Sequence, residues 1–130
     1  MSLRADGSKL AGFLREDHDV FEQMAEKIIE TVVEGDREDV ANAVTALEAS
    51  ILTHLDDEEK ELLPRFKEHD PEEAEALLKE HASIRKRLTE LDVSADLHLV
   101  RADGLRLLLD ALRAHARREN ALLYKWAESL

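Results

Sequence analysis

Apolar residues recur every three or four positions through almost the whole of this sequence. This spacing places them on one face of an α-helix, whereas a half-buried strand would need alternation at every second position. Four segments can be distinguished, each with its own apolar stripe. The stripes are Leu10, Leu14, Phe21, Ala25, Ile28 and Val32; Val40, Val44, Leu47, Ile51, Leu55 and Leu62; Leu77, Leu78, Ile84, Leu88 and Leu91; and Leu105, Leu108, Leu112, Leu122 and Trp126.

Helix-terminating signals are sparse, and the first of them separates two long segments. The first helix is predicted to begin near residues 6–8 and to end at Glu34, because Gly35 suits the position after a helix C-terminus. Asp36 is predicted to cap the second helix, which continues to about Glu68.

A second break lies at residues 69–73. Asp70 is predicted to be the N-cap of the third helix and Pro71 its first helical residue, with Glu73 able to reach back to the cap. The third helix is then predicted to run to about Leu91.

The polar residues 92–96 are predicted to form the last connector, and the fourth helix to end near Glu128. Two starts of that helix stay open. Either it overhangs the bundle, or part of residues 95–103 is loop or short helix and the helix begins near Asp103. Short connectors between long amphipathic helices predict an all-α fold, an antiparallel up-down-up-down four-helix bundle. We expect residues 1–130 to form this single domain.

Composition narrows the class of protein. The chain of 130 residues has 30 Asp and Glu against 18 Lys and Arg, a net charge of −12, and no cysteine. The acidic balance argues against nucleic acid and membrane surfaces as partners. The lack of cysteine excludes disulfides, thiolate chemistry and thiolate-held metal sites. Because neither a membrane-spanning run nor a secretory signal is recognisable, we expect a cytoplasmic protein.

One histidine lies on the apolar stripe of each predicted helix. These histidines are His18, His54, His81 and His115. Counting from the helix breaks places the first three at nearly one depth, since a helix rises about 1.5 Å per residue. The fourth joins them if the last helix begins near Asp103 or if its first turns project beyond the third helix. The other two, His69 and His98, fall at helix breaks and are expected to be solvated.

Two glutamates share these histidine-bearing faces. Glu58 follows His54 by four residues, and Glu119 follows His115 by four, so each pair lies on one helix face. Their stripes are otherwise filled by leucine and isoleucine, and buried charges without partners are costly. A dinuclear centre of iron, manganese or zinc removes that cost and leaves open positions for O₂, NO, peroxide or water. The predicted metal ligands are His18, His54, Glu58, His81, His115 and Glu119.

Other polar and aromatic residues nearby receive simpler interpretations. A solvated face is expected around Glu58, formed by Asp56, Asp57, Glu59 and Glu61. Glu22 is expected to be exposed, although it stays a candidate extra ligand. Trp126 is assigned to the core. Tyr124 lies off the stripe, and nothing in the sequence supports a role for it.

The order of these residues resembles the hemerythrin-like (HHE cation-binding) family. Local segments match as well, HLDDEEKELLP from His54 and HARRENALLY from His115. The resemblance implies a site with two non-haem iron ions and two bridging carboxylates. In that site His18 and His54 would bind one ion, His81 and His115 the other, and Glu58 and Glu119 would bridge them. It also implies two halves, each containing a His…His-x-x-x-Glu pattern.

The chain departs from the oxygen-carrying hemerythrins, which place two histidines one turn apart on the third helix. Here Leu77 and Arg85 stand four residues either side of His81, and Asn120 occupies a position where those carriers have Asp. The resemblance therefore implies binding or sensing of O₂ or NO, or iron handling under redox stress, rather than simple oxygen carriage. A di-metal enzyme of peroxidase or catalase type and a metal-free helical interaction module are the alternatives.

Overall fold

The computed structural model describes the backbone of residues 3–35 and 37–130, and all regular structure in these ranges is helical. The elements are α1 (Leu3–Glu34), α2 (Arg37–Asp57), a π-helical turn (Glu58–Leu62), α3 (Leu63–His69), α4 (Pro71–Asp96), α5 (Ala102–Ala121) and α6 (Leu123–Glu128). They form four rods: α1; α2 with the π turn and α3; α4; and α5 with α6.

The four rods pack as a ring. Each rod contacts the rods that precede and follow it, and the last contacts the first. Since short connectors join consecutive rods, the structure is an antiparallel four-helix bundle, and the fold that the apolar stripes predict is confirmed. None of the described helices combines the length and apolar character that a membrane span requires.

The apolar stripes form two core clusters along the bundle axis. The larger cluster includes Phe21, Ile28, Leu47, Leu88 and Leu105, and the smaller one Leu14, Leu62, Phe66, Leu77 and Leu123. On α1, His18 lies between Leu14 of the smaller cluster and Phe21 of the larger. A polar layer therefore separates two apolar ones.

The connector between the third and fourth rods lies later than predicted. α4 continues through residues 92–96 to Asp96, because Leu91 and Ala95 extend its buried stripe while polar side chains occupy its outer face. The chain turns at His98, whose φ of 57° lies in the left-handed region. α5 then begins at Ala102, so of the two starts that the sequence left open, the structure has the one near residue 103.

The first helix begins at Leu3, a turn earlier than predicted. It ends as predicted: Gly35 has a φ of 87° and donates its N–H to the Thr31 carbonyl at 3.0 Å, which closes the helix. The predicted cap at Asp36 lies outside the described residues.

The N-terminus of α4 also follows the sequence signal in part. Asp70 accepts a hydrogen bond from the Glu73 N–H at 3.1 Å, and Pro71 is the first helical residue. The Glu73 carboxylate, however, does not reach back to the cap. It pairs instead with Arg118 across the bundle at 2.7 and 2.8 Å.

The two rods that carry Glu58 and Glu119 are irregular at the glutamate or within three residues after it. The π turn begins at Glu58, and α5 ends at Ala121, two residues after Glu119. Such irregularities rotate the following residues relative to a regular helix. The break at Leu122 (φ −125°, ψ −60°) leaves this residue exposed instead of buried. The buried positions after it are Leu123, Tyr124 and Ala127.

Two further stripe assignments need correction. Leu78 is exposed, because the adjacent Leu77 occupies the core-facing position of α4. Trp126 is only half-buried and packs on the edge of the smaller cluster beside Phe66.

Leu105 and Leu107 of α5 provide a matched test of the core, since Leu105 is fully buried and Leu107 is 61% exposed. We expect Leu105→Ala to lower the free energy of unfolding by about 2–5 kcal/mol, because it leaves a cavity. Leu107→Ala should change it by less than about 0.5 kcal/mol. Urea denaturation followed by circular dichroism measures both, and equal losses would contradict this packing.

Candidate metal centre

Four histidines meet at one level between the two core clusters. Each rod supplies one: His18 from α1, His54 from α2, His81 from α4 and His115 from α5. The ring centroids are 4.9 Å apart both in the His18–His54 pair and in the His81–His115 pair. Three of the side chains are buried, and His18 is 12% exposed. His69 and His98 are exposed, as predicted.

Glu58 and Glu119 lie between the two histidine pairs and are fully buried. Each carboxylate directs one oxygen to each pair. Glu58 Oε1 is 2.5 Å from His54 Nε2, and its Oε2 is 3.4 Å from His81 Nε2. Glu119 Oε1 is 3.2 Å from His18 Nε2, and its Oε2 is 3.1 Å from His115 Nε2.

These six side chains form two groups whose potential ligand atoms all lie within 4.8 Å of one another. The first group is His18, His54, Glu58 and Glu119, and the second is Glu58, His81, His115 and Glu119. The structure therefore brings together all six residues that the sequence singled out. Glu22 belongs to neither group, because it pairs with Arg113.

The chemistry of the second group fits a cation. Glu58 Oε2 and His115 Nε2 are buried and make no hydrogen bond within the described part of the chain. Buried polar atoms without a partner are rare in folded proteins. Imidazole nitrogens and carboxylate oxygens are donors that suit iron, manganese and zinc, and a cation would satisfy both orphaned atoms.

Three carboxylates hold the outer ring nitrogens of the histidines. The Nδ1 contacts are His54 with Asp17 at 2.9 Å, His81 with Glu59 at 2.7 Å and His115 with Glu80 at 2.6 Å. A carboxylate on the outer nitrogen fixes the tautomer and the orientation of a metal-binding imidazole. Nε2 of each ring is thereby left to face the centre.

Two arginines hold two of these three carboxylates, Glu59 and Glu80, in turn. Arg85 donates to Glu59 at 2.6 Å, and Arg118 donates to Glu80 at 2.8 Å. Glu59 is only 27% exposed, so its assignment to a solvated face was wrong. Hydrogen bonds from Arg85 and His81 outweigh its partial burial and lower the pKa of its carboxyl. The other members of the predicted solvated face, Asp56, Asp57 and Glu61, are exposed.

Sequence reasoning missed the three orienting carboxylates, although two of them have a detectable signal. Asp17 directly precedes His18, and Glu80 directly precedes His81. Each of these acidic residues holds the second histidine of its own half of the chain. An acidic residue before the first histidine of both halves is therefore the pattern that could have identified them.

Tyr124 is a part of the site that the apolar stripe did not reveal. It is fully buried, and its hydroxyl lies 2.6 Å from Glu58 Oε1, 3.0 Å from Glu119 Oε1 and 3.2 Å from His18 Nε2. Burial and the nearby Glu119 and Glu58 charges raise the pKa of Tyr124 above its usual range. The phenol is therefore a neutral donor to the carboxylates. A regular helix through Leu122 would have turned it away from the centre.

In the metal-free protein, protons on the imidazoles balance the buried carboxylates. Burial disfavours a charged His54, but the Glu119 and Glu58 carboxylates outweigh burial and raise its pKa to about 10. The same carboxylates raise the pKa of His81 to about 10 against its burial. The neighbouring Glu58 and His115 side chains likewise outweigh burial and lower the pKa of Glu119.

Comparison with known families gives one match that spans nearly the whole chain. The model of the hemerythrin HHE cation binding domain matches residues 9–127, a range that contains all six side chains of the centre. Comparison with curated proteins and with solved structures gives no significant match.

We expect the metal-free protein to lose stability as the pH rises from about 6.5 to about 10. The folded pKa values of His54 and His81, about 10, exceed the ordinary value of 6.5, so their stabilising contribution is complete below 6.5 and is lost through 10. Urea titrations of the metal-free protein across this range measure the loss. The metal-loaded protein is the control and should change less, because metal-bound imidazoles are neutral. A metal-free stability that stays constant would contradict the proton balance.

Removal of an orienting carboxylate should weaken metal binding without unfolding the bundle. We expect Glu80→Ala to lower metal affinity by about 10–100-fold, since His115 loses its Nδ1 partner. Glu75→Ala is the matched control, because Glu75 is an exposed residue of the same helix. Competition with a chromogenic chelator measures both affinities. Equal affinities in the two variants would show that Glu80 does not orient a ligand.

Proposed function

This chain belongs to the hemerythrin HHE cation-binding domain family, and we propose that it is a non-haem di-iron protein that binds or senses O₂ or NO, or handles iron under redox stress. The observation that carries this proposal is the pair of four-residue groups that share Glu58 and Glu119. Two such groups suit two cations, each with two imidazoles and two carboxylate oxygens.

In the proposed centre, His18 and His54 hold one ion and His81 and His115 hold the other, with Glu58 and Glu119 as bridges. The carboxylate oxygens support this assignment, because each glutamate directs one oxygen to each histidine pair. Iron is proposed on the basis of family membership. Manganese and zinc accept the same donors and are the alternatives to test.

Bound iron held by these imidazoles and carboxylates would supply redox chemistry and affinity for small molecules such as O₂, NO or peroxide. The protein contributes the surroundings. Apolar clusters on both sides of the layer limit access of water. The Tyr124 hydroxyl donates to the carboxylates and holds them in place.

The surroundings of His81 support a role other than simple oxygen carriage. The neighbouring positions one turn away are Leu77, which is packed in the smaller core cluster, and Arg85, which holds Glu59. Neither side chain can supply a further imidazole to the second group. The proposed role is therefore that of a sensor or iron-handling protein in which the two ions have equal numbers of histidines.

Metal quantification on matched variants tests the proposal. After anaerobic preparation with excess iron, the wild-type protein should contain about two ions per chain. His54→Ala and Glu119→Ala should lose one or both ions because they remove ligands. His69→Ala is the control, since this histidine is exposed and outside both groups. Air exposure of the loaded wild-type protein should produce the absorption of an oxo-bridged ferric pair.

Three outcomes would contradict the proposal. A wild-type protein with far less than two ions per chain would overturn it. An unchanged metal content and spectrum in His81→Ala would indicate a helical interaction module whose histidines only pack. Sustained turnover of hydrogen peroxide that disappears in Glu119→Ala would instead identify a di-metal enzyme of peroxidase or catalase type.

A further inference from the structure

The four histidines of the centre are not held equally. Nδ1 of His54, His81 and His115 each has a carboxylate partner. Nδ1 of His18 is buried and has no hydrogen-bond partner among the described residues. His18 is also the most exposed of the six side chains, at 12% against 4% or less for the others. The His18 end of the centre is therefore the less enclosed end.

The internal repeat of the chain shows where a partner for His18 would be expected. Glu59 directly follows Glu58 and holds His81 of the opposite half. In the second half, Asn120 follows Glu119. By the same pattern, Asn120 is the residue that would be expected to hold Nδ1 of His18. The Asn120 Oδ1 atom is buried and also lacks a hydrogen bond in the described structure. An acceptor and an imidazole nitrogen are thus both left unsatisfied on the same side of the bundle.

His18 and Asn120 line one cleft between α1 and α5. Its other lining residues are the apolar Phe21, Leu112 and Ala116 and the charged Arg15, Asp19, Glu22, Arg113 and Arg117. Its volume is about 520 Å³, which is ample space for a small molecule beside His18 and Asn120. Clefts also flank His115 (410 Å³) and His54 (390 Å³). In those two clefts, Glu80 and Asp17 already occupy the Nδ1 atoms of the histidines.

We propose that the cleft between α1 and α5 is the opening through which small ligands reach the His18–His54 end of the centre. The polar wall of this cleft is the pair His18 and Asn120, whose Nδ1 and Oδ1 atoms are buried and without a hydrogen bond in the described structure, whereas charged side chains line other parts of the cleft. A histidine that binds a metal through Nε2 keeps its ring proton on Nδ1, so Nδ1 of His18 would donate, whereas Asn120 Oδ1 accepts. A ligand that matches both atoms accepts a hydrogen bond from His18 Nδ1 and donates one to Asn120 Oδ1. It is therefore protic and close to water in size, such as hydrogen peroxide. This inference rests on the proposed metal centre.

A blocked cleft tests the route. Ala116→Phe fills the cleft beside His18, and Ala111→Phe is the control, because Ala111 is a half-buried residue of the same helix that lines the cleft beside His115. We expect Ala116→Phe to slow azide association with the iron-loaded protein, and iron removal by a chelator, by about tenfold. Ala111→Phe should leave both rates within about twofold of the wild type.

Metal content separates failure of the route from failure of the centre. All variants are first shown to contain as much iron as the wild type. If the wild type itself holds no iron, the proposed function fails before the route is tested. If the iron content is normal and Ala116→Phe behaves like Ala111→Phe, the route is wrong and the centre stands. Ala116→Leu repeats the test with a smaller side chain should the Phe variant fold poorly.

The polar wall is tested with two probes that differ in their ability to donate. Asn120→Leu removes the acceptor at similar size. We expect it to slow the absorbance change with hydrogen peroxide by about fivefold to tenfold, the effect of one lost hydrogen bond. Azide association should stay within about twofold, because azide has no proton to donate to Asn120. Asn120→Asp restores an acceptor and should recover the peroxide rate. Equal losses for both probes in Asn120→Leu would overturn the assignment of Asn120.

Discussion

Two fully buried carboxylates at the meeting point of four helices impose the main constraint on this molecule. Glu58 and Glu119 lie between two apolar clusters, where an unpaired charge would cost several kcal/mol. The imidazoles around them offset that cost, through protons in the metal-free protein and through cations in the proposed function. The connectors place one histidine from each rod at this level, so the polar layer and the bundle architecture depend on each other.

Both halves of the chain contribute the same pattern of carboxylates and imidazoles to one polar layer, but the two halves are not identical. Each half supplies an acidic residue that holds the second histidine of its own half, and a glutamate four residues after that histidine. The halves differ at the residue after the glutamate, which is Glu59 in one and Asn120 in the other. Tyr124 adds a phenol whose hydroxyl lies 3.2 Å from Nε2 of His18 and 3.4 Å from Nε2 of His54, which places it at the end of the centre that these two histidines form. Local contacts therefore make the two ends of the centre chemically distinct, although each end has two histidines and shares both glutamates.

Much of the fold and the centre follows from local patterns in the sequence. Helical periodicity and the signals at Gly35 and Pro71 determine the number of rods and most of their ends, because they act within one turn of the chain. The burial of Glu58 and Glu119 follows from their spacing to histidines on apolar stripes. The connector predicted at residues 92–96 was wrong because a polar outer face does not stop a helix whose inner face continues to bury apolar residues.

The sequence by itself thus determined the bundle and which six side chains meet in its polar layer. Only the tertiary structure decided what surrounds them. The contact between Glu59 and His81 depends on a neighbouring rod and on the π turn at that point. The position of Tyr124 depends on the break at Leu122, which rotates α6 toward the centre. Neither can be deduced from periodicity, since an irregular turn changes the face that every later residue presents and is set by packing against other helices.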